Sequence, residues 1–180
     1  MTSSLRLPLL FLDVDGPLIP FGGDPGRYPH HATGLDPRHA EAHPLLARID
    51  PEHGAKLASL ACELVWATTW SEDANECVAP LIGLPRLDVV VWPEPSDIDE
   101  RDARAGLHWK TRTLVARAAG RPFAWVDDEV TGVDRAWVGA HHPGPALVHH
   151  VDARLGLTDR DYDALRSWLL DPYGTVQARR

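Results

Sequence analysis

Residues 9–18 read LLFLDVDGPL: an apolar run breaks off at two aspartates one residue apart, and glycine and proline follow at once. A continuous apolar run suits a strand covered on both faces, as in a parallel sheet flanked by helices. Gly16-Pro17 ends it. In such sheets ligands bind beyond the carboxyl ends of the strands. The first strand thus delivers two carboxylates to the edge where an α/β sheet does its chemistry.

The rest of the chain repeats the alternation. Residues 16–36 hold nine Gly or Pro in 21 positions and read as a long loop or flap. Asp50-Pro51-Glu52 opens a helix that is expected to run to about Leu60. ELVWATTW (63–70) is a second buried strand, Ser71–Val78 a short helix, and Leu87–Trp92 a third strand. Residues 93–100 read as a Pro- and acid-rich loop, and a helix is predicted over 109–119. PFAWVD (122–127) is the fourth strand, a helix spans roughly 133–140, and ALVHHV (146–151) is the fifth strand. Thr158 and Asp161 form a capping box for a last helix ending near Leu170. The pattern predicts a doubly wound, parallel, five-stranded α/β sheet with helices on both faces. It is expected to form a single domain over 1–170 with a loose tail, 171–180.

The strand ends carry the chemistry. The first ends in Asp13-Val14-Asp15, the second in Thr68-Thr69, the fourth in Asp127-Asp128-Glu129, and Lys110 opens the helix before the fourth. Singly, each has a plain explanation: a D-x-D turn, a threonine or aspartate helix cap, a surface lysine. Four such groups, in order on one edge, converge on one crevice if the sheet is right.

LDVDGPL, VWATT, Lys110 and WVDDE resemble the four motifs of the haloacid dehalogenase-like (HAD) phosphohydrolases over residues 9 to about 151. More narrowly, WATTW, HWKTR and RPFAWVDDE resemble the HAD domains of actinobacterial stand-alone proteins and of RNA-repair proteins. The departure is Pro17, where the family pattern has Thr or Val. Proline lacks an N–H and fixes φ, which puts the usual geometry of the turn into the flap in question.

The resemblance implies a phosphatase acting through an aspartyl-phosphate. Asp13 is the expected nucleophile. Asp15, on the same side of the strand two residues on, is the expected general acid and base. Such an Asp accompanies phosphate-ester hydrolysis rather than dehalogenation in this superfamily. Lys110 and Thr68, or Thr69 if the strand ends one residue later, would hold phosphoryl oxygens. Mg²⁺ is the expected cofactor, bound by Asp13, Asp127 and the Asp15 backbone carbonyl, with Asp128 acting through water. The spacing between motifs leaves no room for a cap domain, which favours large or protruding substrates. The alternative is a catalytically silent HAD-fold module that binds phosphate or a partner.

Composition narrows the partners. A net charge of −8 argues against a dedicated nucleic-acid-binding domain. Residues 101–121 nevertheless carry six basic residues, Arg112 among them, against one acid, and offer a place for a phosphorylated nucleotide or nucleic-acid end. Trp70 and Trp109 could stack on a base there, or simply pack. The bland reading of the arginines is surface pairing. Adjacent histidines point apart and make poor metal sites; His108 is the one that merits testing. No apolar run is long enough for a membrane span. Two cysteines without metal or disulfide spacing point to a cytoplasmic protein.

Overall fold

The computed structural model describes residues 6–34 and 43–174. Five parallel strands, β1 (Leu9–Leu12), β2 (Glu63–Trp66), β3 (Asp88–Val89), β4 (Phe123–Asp127) and β5 (Ala146–His150), form one sheet in the order β3-β2-β1-β4-β5. The chain builds outward from β1 through β2 to β3, then crosses back to add β4 and β5 on its other side. The order reverses at β1, so the carboxyl ends of β1, β2 and β4 flank the crevice such a reversal creates.

Alternation along the strands sorts the core into two layers. Leu10 and Leu12 of β1 pack with Trp66, Ala124 and Val126 on one face. That face is covered by α1 (Glu52–Ala58), α2 (Ala79–Ile82) and α6 (Asp159–Leu170), through Leu57, Ile82, Tyr162, Leu165 and Trp168. Leu9 and Phe11 point the other way, with Val65, Phe123, Trp125 and Val148. There α4 (Thr111–Ala118) and α5 (Gly132–His141) close the layer through Leu114, Ala118 and Val138. Every residue of β1 and β4 is buried, which is why neither shows polar alternation. Gly54 lets α1 lie directly on α2, since a Cβ there would meet the Ile82 carbonyl oxygen at 1.5 Å.

Several elements differ from the sequence reading. The strand expected over 63–70 stays in the ladder only to Trp66, although Ala67 N still donates to the Leu12 carbonyl at 2.8 Å. The strand expected over 87–92 is reduced to Asp88–Val89, because this sheet edge has a partner on one side only. The segment 93–100, expected as a loop, gives way at Asp97 to a helix, α3 (Asp97–Arg104). Its start is a capping box in which Asp99 accepts from both Ser96 N and Ser96 Oγ. Residues Ala74–Val78 form a π-helical turn that runs on into α2. Pro80 has no N–H with which to close an α-helical bond to Glu76. The capping box at Thr158 and Asp161 stands as expected, with Thr158 N donating to Asp161 at 2.8 Å.

Among the described residues, the stretches between Asp15 and Thr68 and between Thr68 and Lys110 hold short helical turns, α1, α2, β3 and α3. Part of the expected flap, 35–36, and most of the expected tail, from 175, lie outside the described residues. Among the described residues no helix is long and apolar enough to cross a membrane.

Candidate active site

At the carboxyl edge of the three middle strands lies a crevice of about 210 Å³ lined by Asp13, Asp15, Phe21, Thr69, Trp109, Lys110, Asp128 and Glu129. Asp13 stands one residue past β1 and Asp127 ends β4. Lys110 immediately precedes α4 and is buried. Its Nζ donates to Asp13 Oδ2 at 2.6 Å and to Asp127 Oδ2 at 2.8 Å.

The remaining contacts fix the two carboxylates. Val14 N donates to Asp13 Oδ1 at 2.8 Å, and Glu129 N donates to Asp127 Oδ1 at 2.9 Å. The indole N–H of Trp125, from within β4, donates to Asp127 Oδ2 at 3.2 Å. Burial pushes the Asp13 carboxyl up to about 7, with Asp127 adding to the shift and Lys110 opposing it. Burial also pushes Asp128 up to about 6, and Asp127 contributes. Burial works against the charge of Lys110, but Asp13 and Asp127 more than offset it and hold the amine above its ordinary value.

Burial leads both carboxyl shifts, and crowded negative charge adds to each. Asp13, Asp127 and Asp128 bring carboxylate oxygens within 4.8 Å of one another, and the Lys110 ammonium bonds two of them, Asp13 and Asp127. A hard, all-oxygen donor set short of positive charge suits a small divalent cation. The residues therefore fit Mg²⁺. Asp15 also lines the crevice. A second grouping, His108, Asp127 and Glu129, lies beside the first. There Lys110 N donates to His108 Nδ1, which leaves Nε2 to donate to Glu129 at 3.1 Å.

The turn out of β1 holds the acidic cluster together. Gly16 has φ +84°, and a Cβ on it would lie 2.4 Å from Asp128 Cγ. Glycine is needed here both for the backbone and for the space. Proline at 17 is accommodated. Leu18 N and Ile19 N both donate to the Val14 carbonyl, and the Pro17 carbonyl accepts from Leu157 N at 2.8 Å. The turn closes without the N–H that proline lacks.

The two threonines differ. Thr69 is exposed and lines the crevice. Thr68 is fully buried, and its Oγ1 accepts from Trp70 N at 3.3 Å, which leaves its hydroxyl hydrogen to donate. Its carbonyl accepts from the Trp92 indole at 3.0 Å. Trp70 is turned inward: its Nε1–H donates to Asp15 Oδ2 at 2.9 Å, and its ring lies against His43 with centroids 4.8 Å apart. Ser71, next in the chain, has φ +49°, an uncommon conformation outside glycine. Trp109 is 42 % exposed and meets Trp92 edge to face at 4.7 Å.

Arg112 does not line the crevice. It holds Asp102 through two nitrogens, one at 2.9 Å, with its guanidinium over the Trp137 ring. The other basic residues of 101–121 are engaged as well. Arg101 bonds the Asp97 carbonyl, Arg104 pairs with Glu100, Arg117 with Asp88 and Arg121 with Glu63. The basic stretch is therefore a set of ties between elements rather than an open cationic face. Three of the paired histidines bond outside the crevice: His149 to Asp161 at 2.8 Å, His141 to the Trp137 carbonyl and His142 to the Arg121 carbonyl. Sequence reasoning missed Phe21 and Glu129 in the crevice wall and the Trp125 bond to Asp127. Glu129 was visible in WVDDE, and the Trp125 bond follows from two residues on one face of β4; Phe21 depends on how the flap folds back.

No curated protein and no solved structure matches the chain. A protein-family model does match, over residues 9–162, from the first residue of β1 to the first turns of α6. That span contains every strand and every side chain of the crevice, and by it the chain belongs to the family described as the HAD domain in Swiss Army Knife RNA repair proteins.

Proposed function

We propose that this protein is a Mg²⁺-dependent phosphatase that hydrolyses a phosphate monoester through an aspartyl-phosphate on Asp13, with a nucleotide or nucleic-acid end as substrate. The observation that carries the reading is the Lys110 bridge between Asp13 and Asp127 beside Asp15 in one crevice. Family membership supports hydrolase chemistry of the phosphatase type.

In the first step an Asp13 oxygen attacks phosphorus in line and the P–O bond to the leaving group breaks. Asp15 gives its proton to the departing oxygen. In the second step water attacks the same phosphorus, Asp15 takes the water's proton, and the Asp13 carboxylate is released. One Asp15 oxygen is held by the Trp70 N–H, so the other is free to carry the proton. Lys110 and Thr69 offer donors to the phosphoryl oxygens, with the Thr68 hydroxyl hydrogen behind them. Asp13, Asp127 and Asp128 would hold Mg²⁺, which supplies positive charge against the incoming phosphate.

The substrate class rests on three supports. The family description names RNA repair. The crevice is small, so it suits the phosphoryl group of a larger molecule standing outside it. Trp109 exposes a ring at its rim. The free thiols of Cys62 and Cys77 fit a reducing, cytoplasmic setting.

The test is turnover of p-nitrophenyl phosphate, nucleotide monophosphates, phosphorylated oligonucleotide ends and sugar phosphates with Mg²⁺. Nucleotide or oligonucleotide substrates are expected to give the highest kcat/KM. Preference for sugar phosphates would remove the nucleic-acid reading, and no turnover of any ester would remove the phosphatase.

A further inference from the structure

The nucleic-acid-end reading leaves open what holds the rest of the strand, since the arginines of 101–121 are engaged elsewhere. Another set lies on the far side of the flap. A cavity of about 660 Å³ is lined by Arg27, Arg48 and Arg154, with Tyr28, His53 and Leu157 among its walls. Its size falls within the ~300–1,000 Å³ usual for small-molecule sites.

The cations there are available to different degrees. Arg27 is exposed and forms no ion pair among the described residues. Arg154 is exposed, and its contact with Asp152 is a loose 3.9 Å. Arg48 is pre-positioned: its Nη1 donates to the Pro20 carbonyl at 2.9 Å and its guanidinium lies over the Tyr28 ring, 4.3 Å from the centroid. The two carboxylates of the lining serve their own turns, Asp24 accepting from Gly26 N and Asp50 from Glu52 N. His53 bonds Tyr162 Oη through Nδ1 at 2.8 Å, and burial holds it below its ordinary pKa, so it adds no charge near neutrality.

The cavity adjoins the crevice. Pro20 lines the cavity and Phe21, the next residue, lines the crevice. Gly156 and Leu157 of the cavity wall pack on the catalytic turn, with Leu157 N bonded to the Pro17 carbonyl. A strand that crosses the flap at Pro20-Phe21 passes from one to the other.

We propose that this cavity is a second subsite that receives an internal phosphodiester of the strand whose phosphorylated end lies in the crevice. The proposal rests on the nucleic-acid-end reading above. Guanidinium groups that hold phosphate through paired N–H donors, beside an aromatic ring, are the chemistry such a group needs.

The test compares the affinities of an Asp13→Asn protein for 5′- and 3′-phosphorylated RNA hexamers and for the matching mononucleotides, by fluorescence anisotropy and calorimetry. The same measurements are made with Arg27→Ala/Arg154→Ala added, after thermal unfolding has shown that the variant folds. A hexamer is expected to bind at least tenfold tighter than its mononucleotide. The double substitution is expected to reduce that advantage to twofold or less. The salt dependence of hexamer binding should also weaken, its log–log slope falling by roughly one. No hexamer advantage in the parent, or an advantage that survives both substitutions, overturns the subsite. A second equivalent of mononucleotide bound and lost with the arginines overturns it in favour of an effector pocket. Turnover of p-nitrophenyl phosphate by the unaltered protein judges the phosphatase reading separately, so failure of the subsite is not confused with failure of the chemistry.

Discussion

The indole N–H of Trp70 donates to Asp15 Oδ2 at 2.9 Å, across 55 positions of sequence. Trp70, half-buried, therefore turns its N–H to the second aspartate beyond β1. A carboxylate with one oxygen held keeps the other in one orientation, which is what a group that first gives and then takes a proton requires.

Replacing Trp70 with Phe keeps a ring against His43 and removes only the donor. We expect kcat to fall about tenfold, with a steeper dependence on leaving-group basicity, because general-acid help matters most for poor leaving groups. Asp15→Asn should show the same trend with a loss of roughly 10²–10⁴-fold. Rates across a series of aryl phosphates check both; an equal loss for all leaving groups would separate Trp70 from proton transfer.

Asp13→Asn should lower kcat by roughly 10³-fold or more, since it removes the proposed nucleophile. The fold should survive. Asparagine has nearly the same volume and can still accept from Val14 N, and Lys110 keeps Asp127. Turnover and circular dichroism on the same sample decide the point; retained activity above a tenth would place the nucleophile elsewhere.

Activity should require Mg²⁺, disappear in chelator and be inhibited by Ca²⁺. The Asp13, Asp127 and Asp128 cluster is compact, and Ca²⁺ asks for more ligands and longer bonds than Mg²⁺ does. Metal titration of chelator-treated protein measures this. Full activity in chelator would end the metal-assisted mechanism.

Gly16→Ala should impair activity more than its size suggests. The new Cβ would push Asp128 aside, and φ +84° costs a residue with a side chain roughly 1–2 kcal/mol. Weaker Mg²⁺ activation with a modest fall in Tm is the expected outcome.

Asp134 gives a pH prediction away from the crevice. Burial opposes its ionisation, but bonds from His108 N, Thr111 Oγ1, Thr131 N and Thr131 Oγ1 outweigh burial and hold the carboxyl below its ordinary value. A depressed folded pKa stabilises above the unfolded value of about 3.9, and that stability is lost as pH falls through the folded pKa. Asp134→Asn should cost about 2–3 kcal/mol near neutrality. The difference from the parent should shrink in acid below about pH 4. Urea unfolding across pH measures both.

The central strands and the groups at their ends follow from residue order alone. LLFL and FAWVD are legible because burial on both faces leaves an unbroken apolar run, a local property. Asp13, Asp15, Thr69 and Asp128 were legible because a run that stops in polar residues marks its own carboxyl end, and Lys110 because of its place in the motif order. Edge strand β3 was overread, since its apolar residues do not all gain ladder partners. Helix α3 was missed because its capping box lies in a stretch whose prolines and acids suggest a loop. Pairing at long range came from the fold. Lys110 reaches Asp13 across 97 positions, and Arg121 is taken by Glu63 across 58. Trp70 turns from a surface that could stack on a base to a hydrogen-bond donor on Asp15. Such partners depend on how strands and helices cross in space, and no spacing along the chain encodes that directly.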